Sequence, residues 1–400
     1  MTGRVLVVNC GSSSLKYRLV DVGAGQALAW GLAERVGQPS GRLTHSRAGG
    51  EPSVVERPLP DHAGALAAAL EAFEHSGPSL ADAGLTAVAH RVVHGGDRFS
   101  APVRIDDDVV RAVRELATLA PLHNPVNAVG IEVARRAFPG LPHVAVFDTA
   151  FHATLPPHAH TYAVPPQWAR EHGVRRYGFH GASHAHVSRA AAELLGRPLS
   201  ETNTVVLHLG NGASATAVAG GRSVETSMGM TPLEGLVMGT RSGDLDPAVV
   251  AHLHRVAGLS PAEVDRALNS SSGMLALAGT NDLREVHRRI ADGDEAAALA
   301  LDVFCHRVRK YVGAYLAVLG RTDAIAFTGG IGENDAVVRA ASLAGLETLG
   351  IRLDEERNAV RAPGGRRVSA DGSPVAVLVV PTDEELEMAR QTVDLLAAGS

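Results

Sequence analysis

The chain predicts an α/β protein built from two related halves, and three observations lead there. The first is a strand, a turn of small residues and a returning strand, stated twice. Residues 4–19 (RVLVVNCGSSSLKYRL) open with the apolar run 5–8, turn through Asn9, Gly11 and Ser12 to Ser14, and resume alternation at Tyr17 and Leu19. In the second half, residues 204–209 (TVVLHL) enter the turn Gly210, Asn211, Gly212 and return through 215–219. The second observation is length: 400 residues exceed what one hydrophobic core usually serves. The third is that short β-branched runs alternate with alanine-rich helical stretches. Glycine and serine turns expose backbone N–H groups, and Lys16 adds a point charge, so phosphate is the natural guest of such a pair of hairpins.

Composition narrows the function classes. The chain is 45% hydrophobic and 20% charged, with a net charge of −6 and no basic run, so it offers no footprint for nucleic acid or an acidic membrane surface. Cys10 and Cys305 form neither a metal pattern nor a disulfide framework, which fits a reducing compartment. The first apolar run is too short for a signal peptide and no later run reaches the length of a membrane span, so a cytoplasmic protein is expected. Lysine occurs only at positions 16 and 310, which sets Lys16 apart.

In chain order, residues 22–60 read as further short strands and 63–75 as a helix. The strand 85–93 places Arg91 near its end, followed by His94, Gly95 and Gly96. A helix at 106–119 opens on Asp106, Asp107 and Asp108, which suit a helix N-terminus. A proline loop at 120–125 and a helix at 126–138 precede the strand 143–147, which delivers Asp148 at its C-terminal end, where open α/β sheets bind ligands. A proline-rich loop, 149–166, is the expected domain boundary, with residues 1–149 and a C-terminal helix, 384–400, in one domain and 150–383 in the other. Tyr177 to His184 leads into a helix ending near 195, and 225–246 reads as a long ordered loop of the kind that carries function. Helices at 246–256, 261–268, 282–290 and 295–319 precede the strand 324–327, a glycine loop at 328–334 that opens a helix, the strand 375–380 and the closing helix.

Nine segments in this order, NCGSSSLKY, HRVVHGG, PLHNP, VFDTAFH, YGFHGASH, HLGNGAS, TSMGMTPLEGLVMGTRSGDLDP, FTGGIGEN and PTDEEL, resemble those of the acetate kinase family, within the superfamily of acetate and sugar kinases, heat-shock chaperones and actin. The resemblance implies two duplicated ribonuclease H-like (actin-like ATPase) domains with a cleft between them, the C-terminal helix returning to the first. It implies reversible, magnesium-dependent phosphoryl transfer from ATP to acetate, giving acetyl phosphate and ADP by direct in-line attack, with manganese as a substitute ion, and a homodimer.

Carried over residue by residue, the resemblance assigns acetate binding to Arg91 and transition-state stabilisation to His180 and Arg241, with Asp148 as proton donor or acceptor. Acetate is already ionised at neutral pH, so Asp148 is better read as orienting an arginine or a magnesium-bound water; pairing with Arg91 is the structural alternative. Asn9 and Glu384 match the metal positions, a pair that spacing alone would not find. The nucleotide is expected from Lys16 and the turn His208, Leu209, Gly210, Asn211, Gly212, past Asp282, Leu283 and Arg284, to Gly329, Gly330, Ile331, Gly332, Glu333 and Asn334. Asn281 and the stretch Ala276, Leu277, Ala278, Gly279 depart from the family's pattern near the adenine. Val93, Leu122, Phe179 and Pro232 are expected to enclose the methyl group, and valine at 93 favours acetate over propionate.

Other readings stay open at this level: a propionate, butyrate or pyrophosphate-dependent carboxylate kinase, or a non-catalytic nucleotide switch like the chaperones and actin. The histidine pairs 158/160, 184/186 and 252/254 point apart on a helix and do not suggest zinc, while His123 and His208 fit either a site or a core role. Arg175 and Arg176 read as solvated surface.

Overall fold

Both copies of the hairpin form, and each founds a mixed sheet. The computed structural model describes residues 3–80 and 82–399 and divides into two compact units, Met1–Phe151 with Asp383–Ser400, and His152–Thr382.

In the first unit, β1 (Arg4–Gly11), β2 (Ser14–Asp21), β3 (Gln26–Glu34), β4 (Gly41–Arg47) and β5 (Ser53–Arg57) run antiparallel in succession. On the other side of β1, β6 (Leu85–Val92) and β8 (His143–Phe147) join in parallel, and the short β7 (Val103–Arg104) closes the edge, for the order β5-β4-β3-β2-β1-β6-β8-β7. Alternation gives the sheet its faces. Leu6, Val8 and Cys10 of β1 and Leu15, Tyr17 and Leu19 of β2 enter one core with Leu66, Ala69 and Phe73 of the helix His62–Ser76. The helix Asn124–Ala137 packs on β1 and β6, and the C-terminal helix Glu384–Ala398 packs on β1, β2, β6 and β8.

The second unit repeats this plan. β9 (Asn203–Leu209), β10 (Ala213–Ala219) and β11 (Arg222–Thr226) form the antiparallel part, and β12 (Ala324–Thr328) and β14 (Ala376–Val379) extend it in parallel, with β13 (Arg366–Arg367) at the edge. The order β11-β10-β9-β12-β14 reproduces β3-β2-β1-β6-β8 strand for strand. That is the duplicated α/β topology expected from the repeated hairpin. The long helix Glu295–Leu319 lies on β9 and β10, with Phe304, Val308 and Val312 buried.

Several local expectations change. The segment read as one loop from 225 begins as the end of β11, because Thr226 pairs with Thr216 and its hydroxyl reaches the Thr216 hydroxyl at 2.9 Å. Gly329–Asn334, read as a loop opening a helix, is itself a helical turn, entered by Gly329 at φ +78° against the backbone of Leu209. The helix Gly273–Ala278 was not expected; its first residue stands at φ +62° beside the carbonyls of Met238 and Arg241, a placement only glycine fits. The helix predicted at 106–119 stops at Glu115 and tightens into a 3₁₀ turn, with Asp106 as its cap, while the next begins at Asn124 because Pro125 is tolerated in a first turn. Among the described residues, no helix is long and apolar enough to cross a membrane.

Candidate active site

Strand register builds a polar cluster in the first unit. Val7, Ala89 and Val144 are partners across β1, β6 and β8, so a step of two puts Asn9 and Arg91, and a step of four Asp148 just past β8, on the same face at the C-terminal ends of three adjacent parallel strands. There Arg91 donates from Nε to Asp148 Oδ1 and from Nη2 to Oδ2, both at 2.8 Å, a two-pronged fork. Its remaining Nη1 stands 3.6 Å from Glu384, the first residue of the C-terminal helix. Burial opposes the Arg91 charge, but Asp148, Glu384 and Glu385 outweigh it and raise the guanidinium above its ordinary value. Asp148 is 5% exposed, so this is a fixed ion pair and not a surface contact. Asn127 bonds both the Val93 amide and the Cys10 carbonyl, holding the ends of β6 and β1 together.

In the second unit a polar cluster is made around the turn 210–212. His180 caps the helix Gly181–Leu195 in the left-handed region, at φ 58°, a conformation non-glycine residues seldom hold except where the surroundings fix it. The preceding Phe179 carbonyl receives a bond from His152 Nε2 at 2.9 Å, and His152 Nδ1 meets the Ser223 hydroxyl at 2.8 Å. The His180 ring stacks on His208 at 4.4 Å. Ser214 and His208 are cross-strand partners on β10 and β9, and Ser214 Oγ lies 2.9 Å from His180 Nδ1 and 2.7 Å from His184 Nε2. His184 is wholly buried, and that burial, with His152 and His208 adding, holds its imidazole well below its ordinary pKa.

Arg241 comes from the loop between β11 and the helix Ala248–Ala257. Its Nη1 donates to the Pro232 carbonyl at 2.6 Å, and burial lowers its pKa. A methyl group built on Gly212 would stand 3.4 Å from both Arg241 Nη2 and His180 Nε2, so these two nitrogens share one surface of the turn. The loop is braced from behind. Arg176 donates to the carbonyls of Thr226, Ser227 and Met228 and pairs with Glu234 at 2.6 Å, Tyr162 donates to Glu234 at 2.5 Å, and Tyr311 donates to Asp244 at 2.9 Å. Arg176 is therefore not the solvated charge expected. Its side chain is 15% exposed, because three backbone carbonyls and a carboxylate replace water.

The sequence profile of the Acetokinase family matches residues 4–390. The chain belongs to this family. Among curated relatives, the acetate kinase of Leifsonia xyli subsp. xyli is 60% identical over 397 residues, covering 99% of both chains. Among solved structures, Porphyromonas gingivalis acetate kinase is 42% identical with a TM-score of 0.93, covering 98% of this chain and 100% of its own. A propionate kinase from Francisella tularensis is 40% identical with a TM-score of 0.91, covering 97% and 98%.

The acetokinase family implies magnesium and ATP, and the chemistry of the residues present suits a hard cation. Asn9 and Glu384 supply hard oxygen donors, and the Asn9 side chain is not engaged by another described residue. Among the described residues no three histidine, cysteine or acidic side chains are grouped so as to hold a metal ion by themselves, and magnesium asks for only one or two protein oxygens beside water and phosphate. Of the nucleotide candidates, residues 208–212 and 329–334 adjoin, since Gly329 packs on Leu209 and Thr328 pairs with His208. Glu333 Oε1 accepts from the amides of Gly329 and Thr382, at 3.0 and 3.1 Å. Asn334 is exposed and bonds Gly330. Asp282 caps the helix Leu283–Ala291 and is held at about 2 by its bonds to the Arg284 side chain and amide. Asn281, one of the departures, reaches Asn211 Oδ1 at 3.0 Å.

Lys16 lies in the first unit, on β2, ion-paired with Glu385, and the other nucleotide candidates belong to the second. Val93 and Leu122 belong to the first unit and Phe179 and Pro232 to the second. Leu122 is 69% exposed, whereas Phe179 is fully buried. Sequence reading did not single out Ser214, Ser183, His152 or Glu385, each of which contacts a candidate site residue. Only the four-residue spacing of His180 and His184 hinted at the cluster. Cys10 and Cys305 are free and buried, their thiols pushed up to about 12 and about 11 by desolvation.

Proposed function

We propose that the chain transfers the terminal phosphoryl group of ATP to acetate, reversibly and with magnesium, by direct in-line attack. The observation that carries this reading is Arg241: a half-buried guanidinium with no carboxylate beside it among the described residues, aimed with His180 at the glycine turn. A buried cation left unneutralised by the protein is a place for an anion. The reaction needs such a place, because bringing a carboxylate to about 4 Å from a phosphoryl oxygen costs roughly 4 kcal/mol at an effective dielectric of about 20. Arg241 and His180 donate to the transferring group, and the turn 210–212 offers backbone N–H groups to the phosphates.

Arg91 binds the acid. Asp148 fixes the plane of its guanidinium and takes no proton, a role that the double 2.8 Å fork supports. Asn9 and Glu384 would hold the magnesium ion, which when bound neutralises phosphate charge. Arg91 serves the acid and the turn 210–212 the nucleotide, and no protein nucleophile is needed. Val93 sets the acid's length, so propionate is a poorer substrate rather than an excluded one, about 1–3 kcal/mol being available from one methylene. The chain acts as a cytoplasmic homodimer, which sedimentation at assay concentration tests.

A coupled assay with acetate, ATP and magnesium, followed by a profile of propionate, butyrate and pyrophosphate, tests the function. Turnover with acetate at the highest kcat/KM is expected. Binding of ATP without turnover on any short-chain acid would overturn it in favour of a nucleotide switch.

A further inference from the structure

We propose that Ser214 and Ser183 are positioning residues that lock His180 and His208 in one tautomer, so that both rings present Nε2–H to the turn 210–212. In a neutral imidazole one nitrogen donates and the other accepts, and the partner of one nitrogen decides the role of the other. The assignment follows from counting hydrogens in a buried chain of groups.

Ser214 is wholly buried and has one hydrogen to share between His180 Nδ1 at 2.9 Å and His184 Nε2 at 2.7 Å. His184 Nδ1 has no hydrogen-bond partner, so a hydrogen placed there would be a buried donor with nothing to bond. The His184 hydrogen therefore sits on Nε2 and points at Ser214 Oγ. If His180 also donated from Nδ1, the Ser214 hydrogen would be the one stranded. The arrangement that strands no donor is His184 Nε2–H to Ser214, and Ser214 O–H to His180 Nδ1. That leaves the His180 hydrogen on Nε2, the atom 3.4 Å from a methyl built on Gly212, beside Arg241 Nη2.

A second chain gives the same result. Thr382 donates to Ser183 Oγ at 2.9 Å, so the Ser183 hydrogen goes to His208 Nδ1, 2.8 Å away. The His208 hydrogen is then on Nε2, which faces Gly210 at 3.9 Å from a methyl built there. His152 follows the same rule, donating from Nε2 to the Phe179 carbonyl and accepting the Ser223 hydroxyl at Nδ1. A donor at Nε2 suits a developing anion at the turn; a bare lone pair there would repel it.

The tautomer assignment stands without any activity, whereas its kinetic consequence rests on the phosphoryl-transfer reading. The test is long-range nitrogen NMR of the full chain labelled with ¹⁵N-histidine, signals being assigned with His180→Gln and His208→Gln. Wild-type His180 and His208 should each show a protonated Nε2 and a bare Nδ1. Ser214→Ala should mix the two forms at His180 only, and lower kcat about tenfold, the worth of one hydrogen bond, with KM for ATP and acetate within about twofold. Ser214→Thr should restore both readouts. Ser183→Ala should change His208 and leave His180 alone, and this variant with the wild-type spectrum carries the test if Ser214→Ala does not fold. Protonated Nδ1 in either wild-type ring overturns the inference, as does an unchanged His180 spectrum in Ser214→Ala. A serine with only a packing role would lower the melting temperature and leave the ring signals as they are. Wild-type protein lacking kinase activity but showing both Nε2–H forms would refute the functional reading and leave this one in place.

Discussion

Replacing Asp148 by Asn separates an orienting carboxylate from a proton-transferring one. The change is nearly isosteric and removes one acceptor from the Arg91 fork, so one of two 2.8 Å bonds becomes an N–H facing an N–H. Asp148 is 5% exposed, so the new amide cannot turn to water, and the arginine must twist toward Glu384, 3.6 Å away. The loss of one charge-assisted bond is worth about 1.5–3 kcal/mol. At about 1.4 kcal/mol per decade, kcat/KM for acetate should fall roughly ten- to a hundredfold. Glu384 and Glu385 remain to keep Arg91 charged, so the defect is one of aim and should be uniform between about pH 6 and pH 9. ATP affinity should stay within about twofold, because the turn 210–212 proposed to hold the phosphates belongs to the second unit. Steady-state kinetics across pH, with nucleotide binding by calorimetry, decides it. A value within twofold of wild type would refute the orienting role, and a loss confined to one limb of the pH profile would reinstate proton transfer.

Three further outcomes are expected. Gly212→Ala has backbone room, since Gly212 is not at positive φ, but its methyl would occupy the surface shared by Arg241 and His180. Turnover should drop by more than about tenfold with the melting temperature little changed, and full turnover would remove the turn from the site. Val93→Ala should raise the propionate-to-acetate ratio of kcat/KM about three- to tenfold, and an unchanged ratio would take Val93 out of the methyl pocket. Burial raises the Glu333 carboxyl above its ordinary value, so stability is lost as pH rises from the ordinary carboxyl value to the raised one and stays lost above it. Glu333→Gln keeps an acceptor for Gly329 and Thr382 and should melt up to about 2 °C higher at neutral pH, the gain fading as pH falls below about 4. A lower melting temperature at neutral pH would contradict this.

Local chemistry made the architecture legible. Period-two apolar runs, glycine turns and alanine-rich helices lie contiguous in the chain, so both hairpins, the strand ending at Asp148 and the helix Glu295–Leu319 could be read directly. The nine segments named the family, and with it a set of site residues. What could not be read was pairing at a distance. Arg91 and Asp148 are 57 positions apart and meet because parallel register brings two strand ends level. Ser214 reaches His180 and His184 across 34 and 30 positions, because one face of β10 lies under the first turn of a helix. Arg176 looked like surface charge until the loop's carbonyls closed around it. Side-chain type and short-range spacing are written in the chain, so sequence alone determined the strands, turns and family. Which donor meets which acceptor depends on strand register and helix packing, which long-range burial sets, and that only the tertiary structure decided.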